Sequence, residues 1–212
     1  MPENKNHWYD GLFYDKIIAP NQDRAFQIVK SLINKNSSVL DVGCGTGRLA
    51  FQLEDKCKNI DSIDLSKRNI DIANKNLIKN PSSKIFFYHS GIQNFLRTKE
   101  KIYDYSILSY VVHELNENKR ADILKLLMEK SIKIIIVDYL YPRPKRFTSV
   151  LNEVIEFAAG RDHYKSFKSY ITYKGINGLV DRTGLIIEKE IKNNPLTTHI
   201  AVLSNKFHSE DN

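Results

Sequence analysis

The chain has 212 residues, of which 42% are hydrophobic, and carries a formal net charge of +7. This length and composition fit one domain with a real core, and no apolar run in the sequence approaches the length of a membrane span. The N-terminus lacks the apolar segment of a secretory signal, and the two cysteines provide neither a disulfide framework nor a metal-ligand pair. We therefore expect a cytoplasmic protein, and the positive charge allows an anionic partner without identifying one.

Residues 1–35 are predicted to form a helical leader. The segment from His7 to Ala19 is rich in aromatic side chains, Tyr14 among them, and Pro20 ends any helix that forms there. These aromatic side chains either pack on the core or cover a ligand as a lid, and the sequence leaves both possibilities open. Residues 21–34 carry apolar side chains at helical spacing, which predicts an amphipathic helix on one face of a sheet.

A glycine-rich turn between a predicted strand and a predicted helix is the central motif, at residues 39–47. Gly43, Gly45 and Gly47 occupy alternate positions, which exceeds the needs of an ordinary turn and indicates a ligand close to the backbone. In the dinucleotide-binding fingerprint the third glycine comes one residue later. Asp41, at the end of the strand, opposes a diphosphate and suits a ligand that carries sulfonium and ammonium groups.

The sequence Asp-Val-Gly-Cys-Gly-Thr-Gly at residues 41–47 resembles the first motif of the class I S-adenosylmethionine-dependent methyltransferases. The resemblance implies that S-adenosylmethionine binds against the glycine turn. Asp64 follows the next predicted strand, 17 residues after Gly47, and matches the acidic residue of the family's second motif. A carboxylate at this position accepts hydrogen bonds from the ribose hydroxyls of a nucleoside, and Ser66 is placed to cap the following helix.

The junction after the third predicted strand departs from the family's pattern. Many members carry an acidic residue there that binds the adenine amine, and this chain has His89-Ser90-Gly91. Backbone groups of Gly91 and Ile92, with the Ser90 hydroxyl, could still bind the adenine edge. The cofactor-binding residues that the resemblance implies are Asp41, Gly43, Cys44, Gly45, Gly47, Asp64, Leu65, Ser90, Gly91, Ile92, Ser109 and Tyr14.

Strands and helices alternate through the rest of the chain. Residues 103–112 are predicted as a fourth strand, and the nearly continuous apolar run 133–141 as a fifth strand covered on both faces. Residues 185–191 and 199–204 predict a terminal antiparallel hairpin. The predicted fold is therefore α/β, with a doubly wound, seven-stranded, mostly parallel sheet, helices on both faces and this hairpin at the end.

Ligands of such sheets bind at the carboxyl ends of the strands, where we expect Gly43, Asp64, Ser109 and His113 to converge. The predicted methyltransferase domain covers residues 36–204, with a helical cap inserted at about 145–173 and a flexible tail at 205–212. The cap region has more basic than acidic residues, which favours an acceptor with a carboxylate or phosphate; a solvated helix face is the alternative. The basic residues are Arg143, Lys145, Arg146, Arg161, Lys165 and Lys168.

Methyl transfer from a sulfonium is a single in-line displacement, so alignment of the reactants and exclusion of water are the main contributions of a protein. A general base is needed only where the acceptor must first lose a proton. His113, just after the fourth strand, and His163, in the cap, are the candidates for substrate positioning or for the base. Either histidine could instead be a hydrogen-bonded structural residue, and no metal site is predicted.

Enzymes of this class that methylate exocyclic base amines carry Asn- or Asp-Pro-Pro-aromatic where this chain has residues 109–112. Neither Cys44 nor Cys57 is placed as the nucleophile of a cytosine-C5 enzyme. A small-molecule acceptor is therefore favoured over nucleic acid, and the oligomeric state stays open. Two alternatives remain: an NAD(P)-dependent oxidoreductase, opposed by the early Gly47, Asp41 and the hairpin, and a non-catalytic cofactor-binding or partner protein of the same fold.

Overall fold

The structure, a computed structural model, describes residues 19–144, 147–158 and 160–206. Its strands are β1 Ser37–Val42, β2 Cys57–Asp64, β3 Ile85–His89, β4 Tyr103–Ser109, β5 Ser131–Tyr139, β6 Ile186–Lys192 and β7 Thr198–Ser204. The described helices are α1 Ala19–Leu32, α2 Arg48–Leu53, α3 Lys67–Lys79, α4 Ile92–Thr98, α5 Glu117–Glu129, α6 Phe147–Ala158, α7 Arg161–Thr172 and α8 Gly175–Thr183. None of these described helices is long and apolar enough to cross a membrane.

The seven strands follow the order β3-β2-β1-β4-β5-β7-β6 in one sheet. Strand β2 pairs in parallel with both β1 and β3, whereas β7 is antiparallel to β5 and to β6. This topology confirms the predicted mostly parallel sheet with a terminal hairpin. By its contacts the chain divides into two compact units, with the boundary after Ile107.

The first unit is organised around β1, which is buried at all six positions. A strand covered on both faces carries a nearly continuous apolar run, as Val39 and Leu40 do here. Helix α1 is tied to α2 by Arg48, whose Nε and Nη2 donate to the two carboxylate oxygens of Asp23, each at 2.7 Å. The helix that carries the glycine turn is thus fixed at its first residue.

The second unit is organised around β5 and β7, whose central residues are fully buried. Helix α8 is followed by Gly184, which adopts a left-handed conformation with φ of 73°. The predicted cap region contains α6 and α7, and α7 buries Phe167 and Tyr170. Its role as a cap stays a prediction, as do the other predicted domain boundaries.

The prediction for the fourth strand is wrong at its C-terminal end. Strand β4 ends at Ser109, Tyr110 has φ of 56°, and a 3₁₀ turn follows at Val112–Glu114. Tyr110 is held in this conformation because its N–H donates to the Val137 carbonyl at 2.7 Å and its hydroxyl lies 2.8 Å from Thr198 Oγ1. These tertiary contacts override the strand-like sequence.

Candidate functional site

The glycine turn between β1 and α2 has left-handed backbone geometry at each of its glycines. The φ angles are 72° at Gly43, 54° at Gly45 and 85° at Gly47, a region that side chains disfavour. The N–H groups of Gly43 and Cys44 both donate to the Ile63 carbonyl, at 2.8 and 3.0 Å, which fixes the turn against the end of β2. A Cβ at Gly47 would also collide with the Phe87 ring.

The Asp64 carboxylate links the glycine turn to the start of α3. Its Oδ2 accepts a hydrogen bond from the Gly45 N–H at 2.9 Å, and its Oδ1 accepts one from the Ser66 N–H at 2.7 Å. The Ser66 hydroxyl in turn caps α3 by accepting from the Asn69 N–H. The structure therefore brings Gly45 and Asp64 into direct contact.

Asp41 is a buried carboxylate at the end of β1. It is 1% exposed, and its Oδ2 has no hydrogen-bond partner in the part of the chain that the structure describes. Burial, together with the charge of Asp64, raises the pKa of Asp41 to about 7. A buried acceptor without a donor is costly, so a ligand that supplies a cationic N–H group fits this position and a diphosphate does not.

The predicted adenine-side residues lie at the adjacent ends of β2 and β3, where Asp64 pairs with His89. The Ser90 N–H donates to the Asp64 carbonyl at 3.1 Å, and its hydroxyl donates to the Gly91 carbonyl at 3.1 Å. Leu65 remains 36% exposed beside Gly91, and Ile92 begins α4. The Ser90 hydroxyl therefore already has a local acceptor, while the Leu65 side chain is accessible.

For three other predicted cofactor residues, Cys44, Ser109 and Tyr14, cofactor binding stays a prediction. Cys44 is buried, and burial holds the pKa of its thiol well above the usual range, so it is no thiolate nucleophile. Ser109 ends β4 in the second unit, and its Oγ is buried with no hydrogen-bond partner among the described residues. Tyr14 lies outside the described residues. The predicted convergence of Ser109 and His113 with the glycine turn stays a prediction.

The second unit holds a cluster of histidines and carboxylates, which begins with His113 in the 3₁₀ turn. His113 is 2% exposed, and its Nδ1 lies 2.7 Å from Asp138 Oδ1 on β5. Its main-chain N–H donates to Asp138 Oδ2 at 3.1 Å. The turn itself is held by Arg120, which donates to the carbonyls of Val112 and His113. His113 is therefore fixed in both backbone and ring orientation.

Glu156 on α6 links the two predicted histidines. Its Oε1 lies 3.5 Å from His113 Nε2 and accepts a hydrogen bond from the Tyr139 hydroxyl at 2.6 Å. Its Oε2 lies 2.5 Å from His163 Nε2 on α7. The structure thus brings His113 and His163 together, with ring centroids 5.7 Å apart.

Burial alone lowers the pKa of His113, but the charges of Asp138 and Glu156 outweigh it and hold that pKa well above its usual range. Burial likewise opposes the ionisation of Glu156, yet His113 and His163 bring its pKa below the usual range.

Sequence reasoning missed Asp138, Tyr139 and Glu156. Asp138 had a detectable signal, because it is the only charged residue in the buried run from Ile134 to Tyr139. Glu156 had none, because a glutamate in an amphipathic helix ordinarily faces solvent; here Glu156 is 4% exposed while Val154 on the same helix is 57% exposed.

The basic side chains of the predicted cap are only partly available to an acidic acceptor. Arg143 and Lys168 both bind Glu153, at 2.6 and 3.2 Å. Hydrogen bonds from Tyr164 and Arg143 lower the pKa of Glu153 to about 2. Arg161 and Lys165 are exposed on α7, whereas Lys145 and Arg146 lie outside the described residues.

Comparison with known proteins gives a match to a family model described as a methyltransferase domain, over residues 39–130. A probable cobalt-precorrin-6B C(15)-methyltransferase (decarboxylating) of Methanococcus vannielii is 29% identical over 126 residues, which cover 56% of this chain and 69% of the relative. A tRNA1(Val) (adenine(37)-N6)-methyltransferase of Flavobacterium psychrophilum is 26% identical over 144 residues, which cover 57% of this chain and 61% of the relative.

Among solved structures, M. capricolum TrmK in complex with its cofactor product S-adenosyl-homocysteine superposes with a TM-score of 0.56 at 18% identity. The match covers 86% of this chain and 68% of that one. Residues 39–130 thus match a methyltransferase domain, and the sheet order is that of the class I methyltransferase fold, whose cofactor is S-adenosylmethionine.

Proposed function

We propose that this chain transfers the methyl group of S-adenosylmethionine to a small-molecule acceptor and that its first unit binds the cofactor. The observation that carries the proposal is the buried Asp41 carboxylate, whose Oδ2 has no partner in the described part of the chain. When bound, the cofactor supplies an electrophilic methyl group, and its ammonium group is the donor that Asp41 lacks. Asp64 and the glycine turn hold the nucleoside part.

A small-molecule acceptor is supported by what the sequence lacks and by one of the relatives. Residues 109–112, Ser-Tyr-Val-Val, replace the Asn- or Asp-Pro-Pro-aromatic sequence of enzymes that methylate base amines. The archaeal relative is named for a cobalt-precorrin substrate, which is a small molecule. The net charge of +7 and the bacterial relative named for tRNA favour RNA as the competing acceptor.

We assign His113 and His163 to the acceptor, as positioning residues. Both ring nitrogens of His113 face carboxylates, Asp138 and Glu156, so we assign it no role as a general base. The cluster of His113, Glu156 and His163 instead orients the acceptor for displacement. The exposed Arg161 and Lys165 support an acceptor that also carries a carboxylate or phosphate.

Transfer of labelled methyl groups from S-adenosylmethionine tests the proposal. The protein is incubated with a cell extract that has been separated into a small-molecule fraction and an RNA fraction. We expect label in the small-molecule fraction and none with the Asp41→Asn variant, which lacks the charge that holds the cofactor. Label that appears in RNA alone would contradict the small-molecule acceptor, and label in neither fraction despite cofactor binding would favour a non-catalytic role.

A further inference from the structure

Four side chains of the second unit point their donor atoms at one small region. His113 and Glu114 come from the 3₁₀ turn, Glu156 from α6 and His163 from α7. The nitrogen and oxygen donors of His113, Glu114 and His163 all lie within 4.8 Å of one another. Glu156 lies 3.5 Å from His113 Nε2 and 2.5 Å from His163 Nε2. We propose that these residues bind one divalent transition-metal ion.

The proposed ligands are held by hydrogen bonds of the kind that orient metal ligands. A histidine that binds a metal usually gives its other ring nitrogen to a carboxylate, which fixes the ring. His113 does so through Nδ1, 2.7 Å from Asp138 Oδ1, and this contact leaves Nε2 facing the cluster. Glu156 is supported in the same way, because the Tyr139 hydroxyl donates to its Oε1 at 2.6 Å.

The distances suit an ion of the size of Zn²⁺. Ligands at about 2.0–2.1 Å from a tetrahedral zinc lie roughly 3.3 Å from one another. The separation of 3.5 Å between His113 Nε2 and Glu156 Oε1 already meets this requirement. The His163 Nε2 and Glu156 Oε2 atoms, 2.5 Å apart, would move apart by less than about 1 Å as an ion replaces their direct contact.

The kind of donor selects the class of metal. Two imidazole nitrogens with one or two carboxylates suit Zn²⁺ and neighbouring transition metals, whereas Mg²⁺ and Ca²⁺ prefer oxygen ligands alone. The cluster is also shielded from water, since the side chains of His113, Glu156 and His163 are 3%, 5% and 7% exposed. Glu114, with a 38% exposed side chain, lies at the solvent side, 4.0 Å from His163 Nε2.

This inference goes beyond the proposed function, because metal binding requires neither S-adenosylmethionine nor an acceptor. Metal-free full-length protein, prepared with a chelator, is titrated with Zn²⁺ alone in a calorimeter. We expect one Zn²⁺ per chain, a raised melting temperature, and at least tenfold weaker binding for His163→Gln and Glu156→Gln. Cobalt(II) bound to the wild type should give the visible absorption of a nitrogen- and oxygen-ligated ion.

Two further variants distinguish loss of a metal ligand from loss of folding. Glu114→Gln changes a partly exposed ligand and should weaken Zn²⁺ binding while leaving circular dichroism unchanged. His89→Gln, an exposed histidine of the first unit, should bind Zn²⁺ as the wild type does. A wild type that takes up no Zn²⁺ would overturn the proposal, as would folded His163→Gln and Glu114→Gln variants with wild-type affinity. Cofactor binding, measured in chelator, reports separately on the proposed function.

Discussion

Asp41 is a carboxylate that the fold buries against a second carboxylate. Its pKa of about 7 lies above that of an exposed aspartate, because burial and the charge of Asp64 both disfavour ionisation. The folded protein without ligand thus binds this proton more tightly than the unfolded chain does. Stability due to Asp41 is therefore full below about pH 4 and is lost as pH rises to about 7. A cationic ligand offsets the cost of ionising the buried Asp41. The charge that destabilises the ligand-free protein therefore strengthens ligand binding.

Asp41→Asn should separate these two effects. At pH 8 the variant without cofactor should have a higher melting temperature than the wild type, because a neutral amide replaces a buried charge. Its affinity for S-adenosylmethionine should fall by about tenfold or more, since a hydrogen bond between charged groups contributes about 1.5–3 kcal/mol. Thermal denaturation at pH 5 and pH 8, with calorimetric titration, measures both. Undiminished affinity in the variant would remove Asp41 from the site.

At the scale of elements, α2 is preceded by Gly47, which has a backbone conformation that other residues disfavour. Gly47 has φ of 85°, and a Cβ there would collide with Phe87. Gly184, after the end of α8, has φ of 73°, and a Cβ there would meet no atom of the described residues within 4 Å. Gly47→Ala should destabilise the fold by about 1–3 kcal/mol from backbone strain, plus the cost of displacing the ring.

Gly184→Ala is the matched control for that variant, because it adds the same backbone strain without a collision. Urea denaturation should show a larger loss of stability for Gly47→Ala than for Gly184→Ala. The excess should shrink when Phe87→Ala is combined with Gly47→Ala, as a double-mutant cycle measures. Equal losses for the two single variants would show that the contact with Phe87 does not matter.

Helix α7 offers a second test at this scale. Arg161 and Lys165 are exposed on it, whereas Lys168 is 3.2 Å from Glu153. Reversal of both exposed charges, Arg161→Glu with Lys165→Glu, should raise KM for a carboxylate- or phosphate-bearing acceptor several-fold and leave cofactor affinity unchanged. Steady-state kinetics with such an acceptor tests this, with exposed Arg97→Glu in the first unit as the charge-matched control. An unchanged KM would show that Arg161 and Lys165 belong to a solvated helix face and do not contact the acceptor.

The elements that the sequence predicts well are those with local signals. The apolar run of β1, the glycines after it and the Ser66 cap all act through neighbouring residues. The end of β4 escaped prediction because Tyr110 owes its φ of 56° to distant partners, Val137 and Thr198. Glu156 escaped for the same reason, since its burial depends on His113, Tyr139 and His163.

For the molecule as a whole, the cofactor is identified, whereas the acceptor is a proposal. The mostly parallel sheet with its terminal hairpin, the glycine turn and the family match follow from the sequence. The acceptor does not, because the groups assigned to it lie on separate elements, the 3₁₀ turn, β5, α6 and α7, that only the fold brings together. Relatives named for a precorrin and for a tRNA leave the same question open.

The glycine turn, Asp41 and Asp64 form the proposed binding site for S-adenosylmethionine. Calorimetric titration of the wild type with S-adenosylmethionine, with its demethylated product and with NADH tests it most directly. We predict binding of the first two ligands and no binding of NADH. The Asp64→Ala variant should lose affinity, because it lacks the carboxylate that accepts from the Gly45 and Ser66 N–H groups. Folded protein that binds neither S-adenosylmethionine nor its product would contradict the account.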